Sequence, residues 1–214
     1  ELWLKNSFFQ GRLPIEHRPA PLMVGSRVAA IQQTWPRHTS RQIVNIKLRA
    51  YVLCFNDGRS KKMKATDKYL KTLLSYYEEE IEGEAYFYGL VDYFEEQEKL
   101  TVLARVERCA AESVVPLLEK YGLVSRDESE LKTRGESYVG RHASFDWFEF
   151  MTYMVNRYPG YLEDFTALER MAPEEDRYAL NSLTNHEVAA IEFAKRELAG
   201  EPDSLVPLYD YLNT

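Results

Sequence analysis

Cysteine is nearly absent: 214 residues hold only Cys54 and Cys109, too far apart in sequence to form a C-x-x-C metal or redox pair. Both are read as reduced thiols, which fits a reducing compartment. Long apolar runs are also missing. No stretch approaches the ~18 residues that a membrane span needs, and no charged-then-apolar leader with a small-residue cleavage site opens the sequence. The expectation is a soluble, cytoplasmic protein without a membrane partner. No Gly-rich phosphate loop, Ser/His/Asp order or Cys/His pair rises above chance, so phosphate-cradling and triad chemistry find no support.

What is present is divided. The net charge is −7, yet residues 1–62 carry 11 Lys/Arg against Glu1, Glu16 and Asp57, while residues 63–214 carry 16 against 31 acidic groups. The first part has no helical period and includes Pro14, Pro19, Pro21 and Pro36. Val44 to Phe55 alternates like a strand and ends in the turn signal Asn56-Asp57-Gly58, but no second strand follows to pair with it. Basic residues interleaved with Trp3, Phe8, Phe9 and Trp35 could serve nucleic acid. The favoured reading is instead an irregular extension, disordered or non-native, with the functional chain beginning near Met63 and no nucleic-acid partner.

From Met63 onward, 45% hydrophobic content for the whole chain is deployed at helical spacing. Thr66 caps a first helix in which Leu70, Leu74, Tyr77, Ile81, Tyr88 and Val91 form a stripe passing through Glu84. A second run puts Leu100, Leu103, Ala104, Ala111, Val114, Leu118 and Tyr121 on a face passing through Glu107, and ends at Gly122. With the turn near Gln97, the two carboxylates stand at heights that agree to within about one turn of an antiparallel pair. Burying two side by side requires a shared proton, a cation or a metal. Val124 to Arg141 reads as a crossover with a short helix at Ser129 to Ser137. Ser144 caps a third run containing Trp147, Phe148, Met151, Met154, Val155 and Tyr158, interrupted at Pro159-Gly160 and resumed at Tyr161, Leu162, Phe165 and Leu168. The fourth helix opens with Pro173 in its first turn and continues through Leu180, Leu183, Glu187, Ala190, Ile191, Ala194 and Leu198 to Gly200. Leu205, Leu208, Tyr209 and Leu212 form a tail that packs back on the bundle.

Two short hairpins joined by one long crossover predict an all-α fold, a four-helix bundle following the irregular N-terminal extension. The second and fourth helices also share Glu-x-x-Ala-x-Glu, at Glu107 to Glu112 and Glu187 to Glu192. On Glu84, Glu107 and Glu187, residues 66–200 or so resemble the ferritin-like superfamily, specifically its non-haem carboxylate proteins. In that family, two helices each give a Glu and two give Glu-x-x-His, all pointing inward at two metal ions. The resemblance implies metal ligation here by Glu84, Glu107 and Glu187 with the adjacent His186, the ion being iron, manganese or zinc. The chain departs from the family where histidines would stand, at Ala110 and Ala190. The third helix also lacks the expected carboxylate: Glu163 projects away from the apolar face and Glu169 lies near the helix end. Glu80, one turn before Glu84, reads as a flank residue.

Two functions from different classes follow. The first is a carboxylate-ligated metal ion performing oxidative chemistry on a small-molecule substrate, with access opened at Pro159-Gly160. The second is a metal-free bundle acting as a binding or dimerisation module, most simply a homodimer through an exposed aromatic face, its glutamates reduced to a proton-sharing network with nearby tyrosines.

Overall fold

A computed structural model describes residues 64–214, which lie within one compact unit, Lys62–Thr214. The expected N-terminal extension, its strand at Val44 to Phe55 and Cys54 all lie outside the described residues. Among the described residues the chain is all-helical, with six α-helices and no strand. Four are long: α1 (Asp67–Leu90), α2 (Gln97–Tyr121), α4 (Trp147–Met171) and α5 (Arg177–Ala199). Two are short: α3 (Glu128–Ser137) in the crossover and α6 (Val206–Leu212) at the end. No helix is long and apolar enough to cross a membrane.

The helix ends follow local chemistry. The Thr66 side chain accepts from the Tyr69 N–H and starts α1. Gly122 closes α2 at φ +62°, where the Leu123 N–H reaches back to the Leu118 carbonyl, and Gly200 closes α5 at φ +68°. The start of α4 differs from expectation. Asp146, not Ser144, is its cap: Asp146 accepts from the Glu149 N–H at 2.7 Å and the Glu149 carboxylate accepts from the Asp146 N–H at 3.0 Å, a reciprocal pair that Ser144 has no partner to form. Nor is α4 interrupted. Pro159 sits inside a continuous helix, because Tyr158, Tyr161 and Phe165 are buried on either side and losing one N–H donor does not outweigh that packing. Pro173 likewise precedes a 3₁₀ turn, Glu174–Asp176, before α5 begins at Arg177.

Side-chain pairs give the directions. Gly83 lies against Glu107, so α1 and α2 are antiparallel through a six-residue connection. Ring contacts of Phe87 with Phe150 and Tyr76 with Phe165 run α4 antiparallel to α1. Lys99 meets Glu197 and Lys120 meets Asp176, which makes α5 antiparallel to α2. Helices α1 and α5 therefore point one way, and α2 and α4 the other. That order needs a crossover the length of the bundle. It runs back along α1, first through Arg126 on Glu78, then Arg134 on Glu82, then His142 on Tyr86.

The deepest residues on α1 are Tyr69, Leu73, Tyr76, Glu80, Phe87 and Leu90, the face turned to the other long helices. The neighbouring stripe with Ile81 is covered by the crossover, where Ile81, Leu131 and Ala111 pack together beside Tyr77. Asp176 pins one end of the bundle. Its carboxylate accepts from the hydroxyls of Tyr69 (2.8 Å) and Tyr121 (2.7 Å) and from Lys120 (2.5 Å), tying α1 and α2 to the start of α5. Helix α6 packs on α5 and α2 and buries Leu208 and Tyr211, whereas Tyr209 stays at the surface.

Candidate metal centre

Three helices carry acidic or basic groups into the middle of this core. Glu80 comes from α1, Glu107 from α2, and His186 with Glu187 from α5; each is at most 4% exposed. One ligand atom from each of Glu80, Glu107 and His186 lies within 4.8 Å of the others. His186 Nε2 stands 3.2 Å from Glu80 Oε2 and 3.6 Å from Glu187 Oε1. Bonds of ~2.1 Å to one ion at tetrahedral angles would put the donors about 3.4 Å apart, so the closer pairs already have that spacing and the wider ones need a contraction of about 1 Å to close on a cation.

The orientation of His186 suits that role. Its Nδ1 sits on the Leu183 carbonyl, which can only accept, so Nδ1 carries the proton and Nε2 is turned to the carboxylates. A ring fixed this way by a backbone carbonyl presents a lone pair to a metal. Phe165 packs edge-on against the same ring and holds it in place.

Hydrogen bonding leaves the cluster unfinished. Glu80 Oε2, Glu187 Oε2 and His186 Nε2 are buried side-chain atoms without a hydrogen-bond partner. Such groups ordinarily find one, and each left unmet costs about 1–3 kcal/mol. Elsewhere on the same helix the carboxylates are met by arginines: Glu78 and Glu82 by Arg126, Glu82 also by Arg134, and Glu84 by Arg108. Among the described residues, no Lys or Arg ion pair reaches Glu80, Glu107 or Glu187.

Titration reflects the confinement. Burial pushes the Glu80 carboxyl well above the usual range, and Glu107, which shares a hydrogen bond with it, and Glu187 push it further. Burial likewise raises Glu187, the His186 imidazole opposes this, and the outcome is about 6. For His186, burial disfavours the charged ring, but the carboxylates of Glu187 and Glu107 and the Leu183 carbonyl outweigh it, and its pKa rises. A divalent cation bound by these groups would compete with their protons.

Of the four sequence-expected ligands, the structure brings Glu107, His186 and Glu187 together. Glu84 stands apart: its carboxylate is held by Arg108, which also bridges to Glu128 in the crossover at 2.7 Å. The α1 carboxylate that joins the cluster is Glu80. The sequence carries a signal for it, since Tyr69, Leu73, Tyr76, Glu80, Gly83, Phe87 and Leu90 alternate steps of four and three. At Gly83 the absence of a side chain lets Glu107 lie against α1; an added Cβ would come within 2.7 Å of Glu107 Oε2. The positions three residues after the α2 and α5 glutamates, Ala110 and Ala190, are fully buried and offer no ligand. On α4, Glu163 is exposed and Glu169 accepts from the Thr184 hydroxyl.

In comparison with known proteins, the chain matches no family model, no curated protein and no solved structure.

Proposed function

We propose that this chain is a ferritin-like helical-bundle protein in which Glu80, Glu107, His186 and Glu187 hold one divalent transition-metal ion that serves oxidative chemistry on a small molecule. The observation that carries the reading is the buried cluster of Glu80, Glu107 and His186 donor atoms within 4.8 Å, with Glu80 Oε2 and His186 Nε2 finding no hydrogen-bond partner. Two antiparallel hairpins joined by one full-length crossover support the ferritin-like arrangement. Alanines at 110 and 190 and the absence of an inward α4 carboxylate favour one ion rather than the family's pair.

Carboxylates with one imidazole suit iron, manganese or zinc. Iron and manganese can change oxidation state and so supply oxidative chemistry, whereas zinc cannot. The protein's own part is to bind and orient: the Leu183 carbonyl fixes the His186 tautomer, and α1, α2 and α5 keep the three carboxylates at one height in the buried core.

Metal content of the 214-residue chain, purified without chelator and measured by mass spectrometry, tests the proposal. Near-stoichiometric iron, manganese or zinc is expected, lost in Glu107→Ala and retained in Glu84→Ala. Metal-free, folded protein would refute it. The competing reading, a metal-free dimerisation module, draws on Tyr88, Tyr93 and Phe148, which are 46%, 56% and 66% exposed. Sedimentation showing a monomer at every concentration would remove it.

A further inference from the structure

The acidic residues of α1 are not all held in the same way. Glu78 and Glu82 are met by arginines of the crossover itself, Arg126 and Arg134. Glu84 is met by Arg108, which belongs to α2 and directly follows the cluster residue Glu107. The same guanidinium nitrogen reaches on to Glu128, the first residue of α3, at 2.7 Å, and Lys132 holds Glu128 from one turn further along α3 at 2.9 Å. One side chain thus ties α1, α2 and the crossover together beside the buried cluster.

This tie lies between solvent and the centre. Side-chain exposure falls from 53% at Glu128 through 26% at Arg108 to 11% at Glu84. Behind Glu84, Glu80 stands one turn back on α1 and only about 40° round it, which puts the two Cβ atoms ~6 Å apart. Gly83, next to Glu84, has no side chain where Glu107 lies against α1. A divalent ion gives up its water only where oxygen donors replace it, so carboxylates graded from solvent to the core offer it a route. Other sides of the centre are walled by buried rings, Phe165 of α4 and Tyr211 of α6, both packed on His186. Glu79 is also a partly exposed carboxylate beside Glu80, but it lies about 100° round α1 from it and accepts from Ser75 of its own helix.

We propose that Arg108, clasped between Glu84 and Glu128, is the latch of a gate through which a divalent cation enters and leaves the buried centre. This rests on the metal reading above. Closed, the guanidinium fills the place between two carboxylates that an incoming cation would take, and its charge repels one. Its grip on Glu128 is at the surface, where an ion pair is worth little, so Arg108 is able to swing into solvent and leave Glu84 and Glu128 to the ion. The latch governs how fast the ion exchanges, while the ligands that set its affinity stay the same.

Stopped-flow uptake of Co(II) by the metal-free 214-residue chain, and its release to excess chelator, both followed through the cobalt absorption bands, test the inference. Arg108→Gln should speed uptake and release alike, each by about tenfold or more, the effect of removing a charge-assisted hydrogen bond from the closed state. Arg126→Gln, which loosens the crossover at Glu78 and Glu82, should exchange cobalt as the parent does. Faster uptake with slower release would mean that Arg108 acts only through its charge on the ion's affinity, and would overturn the gate. Unchanged rates in a cobalt-loaded Arg108→Gln, or the same acceleration in Arg126→Gln, would overturn it too while leaving the metal reading intact. If Arg108→Gln does not fold, Glu128→Gln at the exposed end of the tie should still speed both rates, and unchanged rates there would count equally against the gate. A parent chain that takes up no cobalt would end both the gate and the metal reading.

Discussion

At Glu80 the core holds a carboxyl that cannot ionise cheaply, because burial and the facing Glu107 both oppose its charge. Glu80→Gln keeps the volume and hydrogen-bonding capacity while removing that conflict. The metal-free protein should therefore gain roughly 1–3 kcal/mol in chemical denaturation at pH 7, whereas metal uptake should fall sharply. A loss of stability in the metal-free variant would show that Glu80 is a structural group instead. His142 offers a separate titration away from the cluster. Its Nδ1 is hydrogen-bonded to the Tyr86 hydroxyl at 2.7 Å, and burial, with the nearby Arg141 charge, lowers its pKa to about 4. Between pH 4 and about 6.5 the unfolded chain binds this proton and the folded one does not, so stability rises with pH across that window. The stability difference between parent and His142→Gln should grow by up to about 3 kcal/mol from pH 4 to 6.5 and then level off. A difference independent of pH would contradict the assignment.

At the scale of the elements, α1 is where the sequence and the structure part. Its aliphatic stripe through Leu70, Leu74, Tyr77 and Ile81 is only partly buried until Ile81, which packs with Tyr77 on Leu131 of the crossover; the stripe facing the bundle lies one residue earlier and is built of Tyr69, Tyr76, Glu80 and Gly83 beside Leu73 and Phe87. A helix buried on two sides has two stripes, and the more aliphatic one attracts the eye. The α1 carboxylate buried beside Glu107 is therefore Glu80, one turn before the Glu84 that the sequence spacing singles out, whereas Glu107 and Glu187 are buried as the spacing on α2 and α5 implies. Continuity through Pro159 was not legible, because packing decides it and no local residue does. Gly83 turns this geometry into an expectation. Gly83→Ala gains helix propensity of about 1 kcal/mol, yet its methyl must push Glu107 Oε2 aside. The variant should match or exceed the parent in metal-free thermal stability while losing at least about tenfold in metal affinity by competition titration. Unchanged affinity would mean that Glu107 has freedom the core does not show.

Over the whole molecule, the direction of the four long helices matters more than any single contact. With α1 parallel to α5 and α2 parallel to α4, the crossover must travel the full length of α1, and it does so on arginine pairs to Glu78 and Glu82 and few buried apolar groups of its own, Leu131 and Val139 among them. Acidic residues on α1 therefore divide by role. Glu78, Glu82 and Glu84 anchor the crossover and its neighbour through arginine, while Glu80, nearly opposite Glu78 and Glu82 and one turn before Glu84, is left in the buried cluster with Glu107 and His186. Asp176 closes one end of the bundle with its three donors, and α6 covers the core beside His186. Anomalous diffraction from crystals of the 214-residue chain, recorded above and below the absorption edge of the metal found by mass spectrometry, tests this division most directly. The account predicts one peak within ~2.0–2.3 Å of His186 Nε2 and of carboxylate oxygens from Glu80, Glu107 and Glu187. A peak at Glu84, or a well-ordered core with none, would contradict it.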